Sequence, residues 1–107
     1  IISKEGVKRL SKSSIRSDID SMLLLPTNFS EGFMLNMDNR GKFEGEGGSF
    51  LIGNNAFGHV GFGGSSATFA DPDCKLAFGY IVNKLGGEYL INERAQSLID
   101  ETYKSLI

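Results

Sequence analysis

The residues best suited to chemistry fall within positions 57–84. His59 is the only histidine, and it stands in Phe57-Gly58-His59-Val60-Gly61-Phe62-Gly63-Gly64. An imidazole is the side chain that trades a proton near neutral pH. With Gly58 before it and Gly61 two places on, little local bulk crowds it, so it can face a cleft. The glycines carry no Cβ, which lets the backbone of another molecule approach within hydrogen-bonding distance. The plain structural alternatives are a hydrogen-bonded rim histidine and a glycine-relaxed turn between two strands. Gly61-Phe62-Gly63-Gly64 does not read as a phosphate cradle. Such loops deliver the chain into a helix N-terminus, whereas a strand pattern follows here.

Other reactive groups form no self-contained set. Asp71, Asp73 and Cys74 could join His59 around a metal, but their spacing matches no ligand motif, and a turn explains Asp71-Pro72-Asp73 better. A serine nucleophile needs an activating base. None of Lys4, Lys8, Lys12, Lys42, Lys75, Lys84 and Lys104 has a serine three places before it, so Ser-x-x-Lys is absent. Tyr-x-Asn is absent too, because Val82, Ile91 and Ser105 follow Tyr80, Tyr89 and Tyr103 two places on. Nothing in the sequence calls for a cofactor.

The elements that must position His59 are legible from pattern. Ser3 can cap a first helix through Val7 and Leu10, fading at the serines of 11–17. Lys4, Lys8, Arg9 and Lys12 form its wet face. Residues 17–31 read as an ordered connection anchored by Ile19, Met22 and Leu23 and broken by Pro26. Residues 32–38 alternate as a strand, with Phe33, Leu35 and Met37 on one side and Met34, Asn36 and Asp38 on the other. Asp38-Asn39-Arg40-Gly41 is a turn, and Phe43 starts a return strand. A glycine- and asparagine-rich loop over 45–55 is interrupted by Phe50-Leu51-Ile52. Short strands follow over 57–61 and 64–70.

The clearest strand covers 75–83. Leu76, Phe78, Tyr80 and Val82 lie on one face. Ala77, Gly79 and Ile81 lie on the other, where small residues suit a packed helix. Asn92 caps a last helix with a stripe of Ala95, Leu98, Ile99, Thr102 and Leu106. Glu44, Glu46, Glu88, Glu93, Asp100 and Glu101 read as solvated charges. Tight turns imply antiparallel pairing. The expected class is α+β: an antiparallel sheet with N- and C-terminal helices packed on one face.

Length and charge narrow the function. The chain has 107 residues, enough for a single domain or part of a larger one. A net charge of −2 leaves no basic footprint for nucleic acid. No apolar run approaches the roughly 18 residues a membrane span requires. One cysteine excludes an internal disulfide and slightly favours a reducing, cytoplasmic setting. Glycine, at 14 residues, is the compositional outlier, concentrated over 41–64 without a period. The start at Ile1-Ile2, without a leader pattern, reads as an excised segment.

Three stretches in order resemble one family: Phe57-Gly58-His59-Val60-Gly61-Phe62-Gly63-Gly64, then Phe69-Ala70-Asp71-Pro72, then Leu76-Ala77-Phe78-Gly79-Tyr80-Ile81-Val82-Asn83-Lys84, with Asn92-Glu93-Arg94-Ala95 opening the last helix. Together, across about residues 30–107, they are similar to the C-terminal part of β-lactamase-related serine hydrolases (class C β-lactamase-like esterases and penicillin-binding-protein relatives). In that family Ser-x-x-Lys carries the nucleophile, Tyr-x-Asn lies across the cleft, and Lys-Thr-Gly forms one wall.

The resemblance implies a partial β-lactamase-like fold in which His59-Val60-Gly61 takes the Lys-Thr-Gly position. Substrate would lie along His59, Val60, Gly61, Gly63 and Gly64, with the Phe62 main-chain N–H as an oxyanion donor. Residues 1–107 would then be the C-terminal piece of a longer hydrolase, inactive alone for want of the nucleophile motif. His59 and Val60 remove the cation and hydroxyl that hold a substrate carboxylate, which implies neutral esters or amides as substrates. The alternative is a non-catalytic scaffold or interaction domain of the same fold. With the helical domain missing, the exposed sheet face or edge would favour a homo-oligomer.

Overall fold

Local sequence signals build the ends of the chain. Ser3 caps helix α1 (Lys4–Ser11), its hydroxyl accepting the Gly6 N–H at 3.0 Å. Asn92 caps helix α2 (Glu93–Ser105), its Oδ1 accepting the Ala95 N–H at 3.1 Å. Between them the computed structural model contains strands β1 (Ile15–Ser17), β2 (Thr27–Phe29), β3 (Met34–Leu35), β4 (Phe57–Val60), β5 (Ser66–Asp71) and β6 (Leu76–Ile81). The structure describes residues 1–41, 48–88 and 90–106. The expected return strand at Phe43 and the charges of Glu44 and Glu46 lie outside the described residues.

The six strands form one antiparallel sheet in sequence order, each neighbour pairing with the next. With its two helices the chain is α+β. The β4–β5 register sets Gly58 opposite Phe69, His59 opposite Thr68, and Val60 opposite Ala67. β5 and β6 pair from Ser66–Ile81 to Asp71–Leu76. Alternation then sorts the faces. Val60, Ala67 and Phe69 are buried in a core cluster that also takes Met34, Phe50, Ala95 and Ile99. Leu76, Phe78, Tyr80 and Tyr103 pack against that cluster. Phe69 stacks on Phe78 and on Tyr103, with ring centroids 5.1 and 5.8 Å apart.

Several expectations need correction. Ile19 and Met22 are exposed, and Leu25 is the buried anchor of that segment. Residues 15–17 and 27–29, read as serine-rich fade and connection, are paired strands. They are too short, at three residues each, to show alternation. The strand expected over 32–38 narrows to Met34–Leu35 plus a bridge from Met37 to Phe50. The Gly41 turn does take its positive φ of 75°.

On β6, Ala77, Gly79 and Ile81 face outward, and a Cβ on Gly79 would meet nothing within 4 Å. The helix packs on the opposite, larger-residue face. The α2 stripe is Ala95, Ile99 and Tyr103, while Leu98 and Leu106 stay exposed. Spacing by four wins over the alternating three-and-four pattern because the tyrosine ring, not a leucine, meets Phe69. α1 contributes no buried residue.

Candidate active site

The region around His59 is assembled by β4, the tight turn at Phe62–Gly64, β5 and the segment after β6. His59 is exposed on the sheet face opposite the core. Its strand partner Thr68 is exposed beside it, and the Thr68 hydroxyl makes a long 3.5 Å hydrogen bond to the His59 carbonyl. No hydrogen bond reaches the imidazole among the described residues, so no serine hydroxyl among them is held by it.

Val60 turns the other way: its side chain is 6% exposed and belongs to the core cluster. Phe62 is 64% exposed at the start of the turn.

The glycines of this motif make room for the chain's own atoms. A Cβ on Gly58 would collide with the Thr68 carbonyl oxygen and come within 2.6 Å of the Phe69 Cβ. A Cβ on Gly61 would strike the hydroxyls of Ser65 and Ser66. Gly63 and Gly64 both take positive φ, 69° and 65°. That left-handed conformation is cheap only for glycine. Gly63 also sits under the segment after β6. Its N–H donates to the Glu88 carbonyl at 3.0 Å, and its carbonyl accepts the Gly86 N–H at 2.6 Å. Val82 N–H donates to the Ser65 carbonyl at 3.0 Å. The 82–88 segment is thus stitched to the turn.

Glu88, expected as a solvated charge, is half-buried, and its Oε2 is buried without a hydrogen-bond partner among the described residues. Nothing in its sequence surroundings marks it, since the contact comes from the fold of the glycine turn. Ile81 (83% exposed) and Leu85 (62%) add exposed apolar surface in this neighbourhood.

The remaining candidates are structural. Asp71 is buried at the end of β5. It accepts the Tyr103 hydroxyl at 2.7 Å through Oδ2 and the Asp73 N–H at 3.0 Å through Oδ1. Tyr103 in turn accepts the Gly53 N–H at 2.9 Å. Burial, and then the Asp71 hydrogen bond, pushes the Tyr103 phenol well above its ordinary value. Desolvation, followed by the charges of Asp71 and Asp73, raises the Cys74 thiol as well. The thiol form is a poor nucleophile. Asp71, Asp73 and Cys74 lie at the opposite end of β5 from the Phe62–Gly64 turn, and no cluster of three metal-ligating side chains occurs among the described residues.

No protein-family profile matches the chain, and no curated protein does. Among solved structures it is similar to a family VIII carboxylesterase, with 28% identity and a TM-score of 0.72 over 96% of this chain. The chain spans 25% of the length of that esterase. The likeness supports a fragment of β-lactamase-related esterase fold, and with it a serine-hydrolase-like architecture.

Proposed function

We propose that the chain is the C-terminal part of a serine hydrolase that cleaves esters or amides through an acyl-enzyme. The observation that carries this reading is the likeness to a carboxylesterase over nearly the whole chain, joined to an exposed imidazole on the strand that leads into the glycine turn. β4 is then the wall of the acyl pocket. His59 stands at its rim with the half-buried Gly61 two places on, and the buried Gly63 and Gly64 hold the turn behind that surface. The Phe62 N–H is the donor that meets the carbonyl oxygen as it gains charge, a contribution of about 3 kcal/mol to the transition state. The attacking hydroxyl and its base come from another part of the protein. This segment is therefore inactive by itself.

The substrate follows from what lines the wall. Where an ammonium and a hydroxyl would clamp an anionic substrate, this wall offers an imidazole, and the Val60 side chain is turned into the core. Neutral acyl groups fit such a wall better than carboxylate-bearing ones.

A fluorophosphonate probe tests the reading. The longer protein that contains this segment is expected to label covalently, and the 107-residue chain alone is not. Labelling of the isolated chain would place the nucleophile within it and overturn the division of labour. A longer protein that never labels would instead support a non-catalytic scaffold of the same fold.

A further inference from the structure

We propose that Gly86 is a positioning residue for the oxyanion donor: acting through Gly63, it fixes where the Phe62 N–H points. The assignment rests on the acyl-transfer reading above and adds to that site a residue from the segment after β6. Gly86 touches no reacting atom; it acts through the main chain of the glycine turn.

Phe62 lies between two glycines whose main chains are held. On one side, the Gly61 N–H donates to the Ser66 carbonyl at 2.9 Å, tying the end of β4 to the start of β5. On the other side, one short segment takes both peptide groups of Gly63. The Gly63 carbonyl accepts the Gly86 N–H at 2.6 Å, and the Gly63 N–H donates to the Glu88 carbonyl at 3.0 Å. Gly63 has a left-handed backbone, φ 69° and ψ 22°. A glycine leaves that conformation easily, because negative φ is as accessible to it. The two hydrogen bonds keep it there. Rotation about the Gly63 backbone would swing the peptide that joins it to Phe62, and with it the residue that carries the donor.

The two chain segments meet closely enough that each needs a glycine. A Cβ on Gly63 would come within 2.9 Å of the Gly86 carbonyl oxygen, and a Cβ on Gly86 would strike the Glu88 carboxylate. Bringing the Glu88 carbonyl to Gly63 folds the Glu88 side chain over Gly86 and leaves its Oε2 buried, with no hydrogen-bond partner among the described residues. An unpaired buried oxygen is costly. That cost accompanies the placement of the main chain at 86–88, which is what holds Gly63. Gly87, between them, is different: a Cβ there would meet nothing within 4 Å.

The test deletes one hydrogen bond. An ester linkage in place of the Gly86 amide, made by semisynthesis, removes the N–H without adding an atom; Gly86→Pro removes it more coarsely, and Gly87→Ala is the control. In the 107-residue chain, NMR should show the Gly63 amide hydrogen of the ester form exchanging about tenfold faster, as a local opening made easier by one lost hydrogen bond, while the β5 amides keep their rates. In a longer hydrolase that carries this segment, the ester form and Gly86→Pro should lower kcat for an uncharged aryl ester about ten- to a hundredfold with KM nearly unchanged, because a misplaced donor is felt in the transition state. Gly87→Ala should keep both constants. An unchanged Gly63 exchange rate would overturn the assignment. So would an unchanged kcat in a longer protein that labels with the fluorophosphonate probe, or equal losses in Gly87→Ala. A longer protein that neither labels nor turns over the ester would overturn the acyl-transfer reading and this assignment together.

Discussion

The side-chain amide of Asn92 occupies the space that a Cβ on Gly64 would fill. The residue that caps α2 is therefore packed directly against the glycine turn after β4, although 28 positions separate the two in sequence. The turn and the last helix are fixed to each other through this contact. Gly64→Ala should cost about 1–3 kcal/mol, from a left-handed backbone no longer cheap and a clash with the cap. Asn92→Ala should cost about 1 kcal/mol as a lost cap. Urea unfolding of both single variants and the double variant should give costs that do not add, because the residues touch. Strict additivity would show that the contact is unimportant.

Tyr103 ties the end of α2 to Asp71 of β5 and to the Gly53 main chain. Tyr103→Phe leaves both partners short of a hydrogen bond and should destabilise by about 1–3 kcal/mol. The phenol's pKa is raised in the folded chain. Its contribution is therefore complete below the ordinary tyrosine value of about 10 and is lost as pH climbs beyond it. Thermal midpoints should fall between about pH 10 and 12 in the parent chain and fall less in Tyr103→Phe. An identical alkaline decline in both would rule out Tyr103 as its source.

If the chain is part of a longer hydrolase whose β4 wall selects neutral acyl groups, that protein should turn over an uncharged aryl ester faster than a chromogenic cephalosporin, which carries a carboxylate. His59→Lys restores a cation at the rim and should shift the kcat/KM ratio towards the cephalosporin by about tenfold, the worth of one charge-assisted contact. A parent enzyme that prefers the cephalosporin would defeat the proposal.

Self-association is a further expected outcome. Among the described residues β6 pairs with β5 alone, leaving its outer edge open. Ile81, 83% exposed, adds apolar surface to its outward face. Open edges and bare apolar patches pair with copies of themselves. Sedimentation velocity of the 107-residue chain should show a concentration-dependent larger species. Ile81→Lys should reduce it. A monomer at every concentration would exclude this surface as a self-docking face.

Sequence alone determined the capped helix ends, the three strands from Phe57 onward, the turn at Asp71-Pro72-Asp73 and the antiparallel α+β class. Those features rest on local signals: a capping side chain, alternation, and a proline or glycine that only certain backbones accept. The exposed His59 was also foreseeable, since the same alternation that buries Val60 turns its neighbour outward. Tertiary structure decided the rest. Strands Ile15–Ser17 and Thr27–Phe29 exist because they find partners across the sheet, which no short window records. The outward face of β6 was misread because alternation separates two faces without saying which one a helix will cover; the bulk of Phe69 and Tyr103 settled that. The glycines over 58–64 looked like room for a ligand. In the folded chain they are room for Thr68, Ser65, Ser66, Gly86 and Asn92, because close approach between distant parts of a backbone is a property of packing, not of order along the chain.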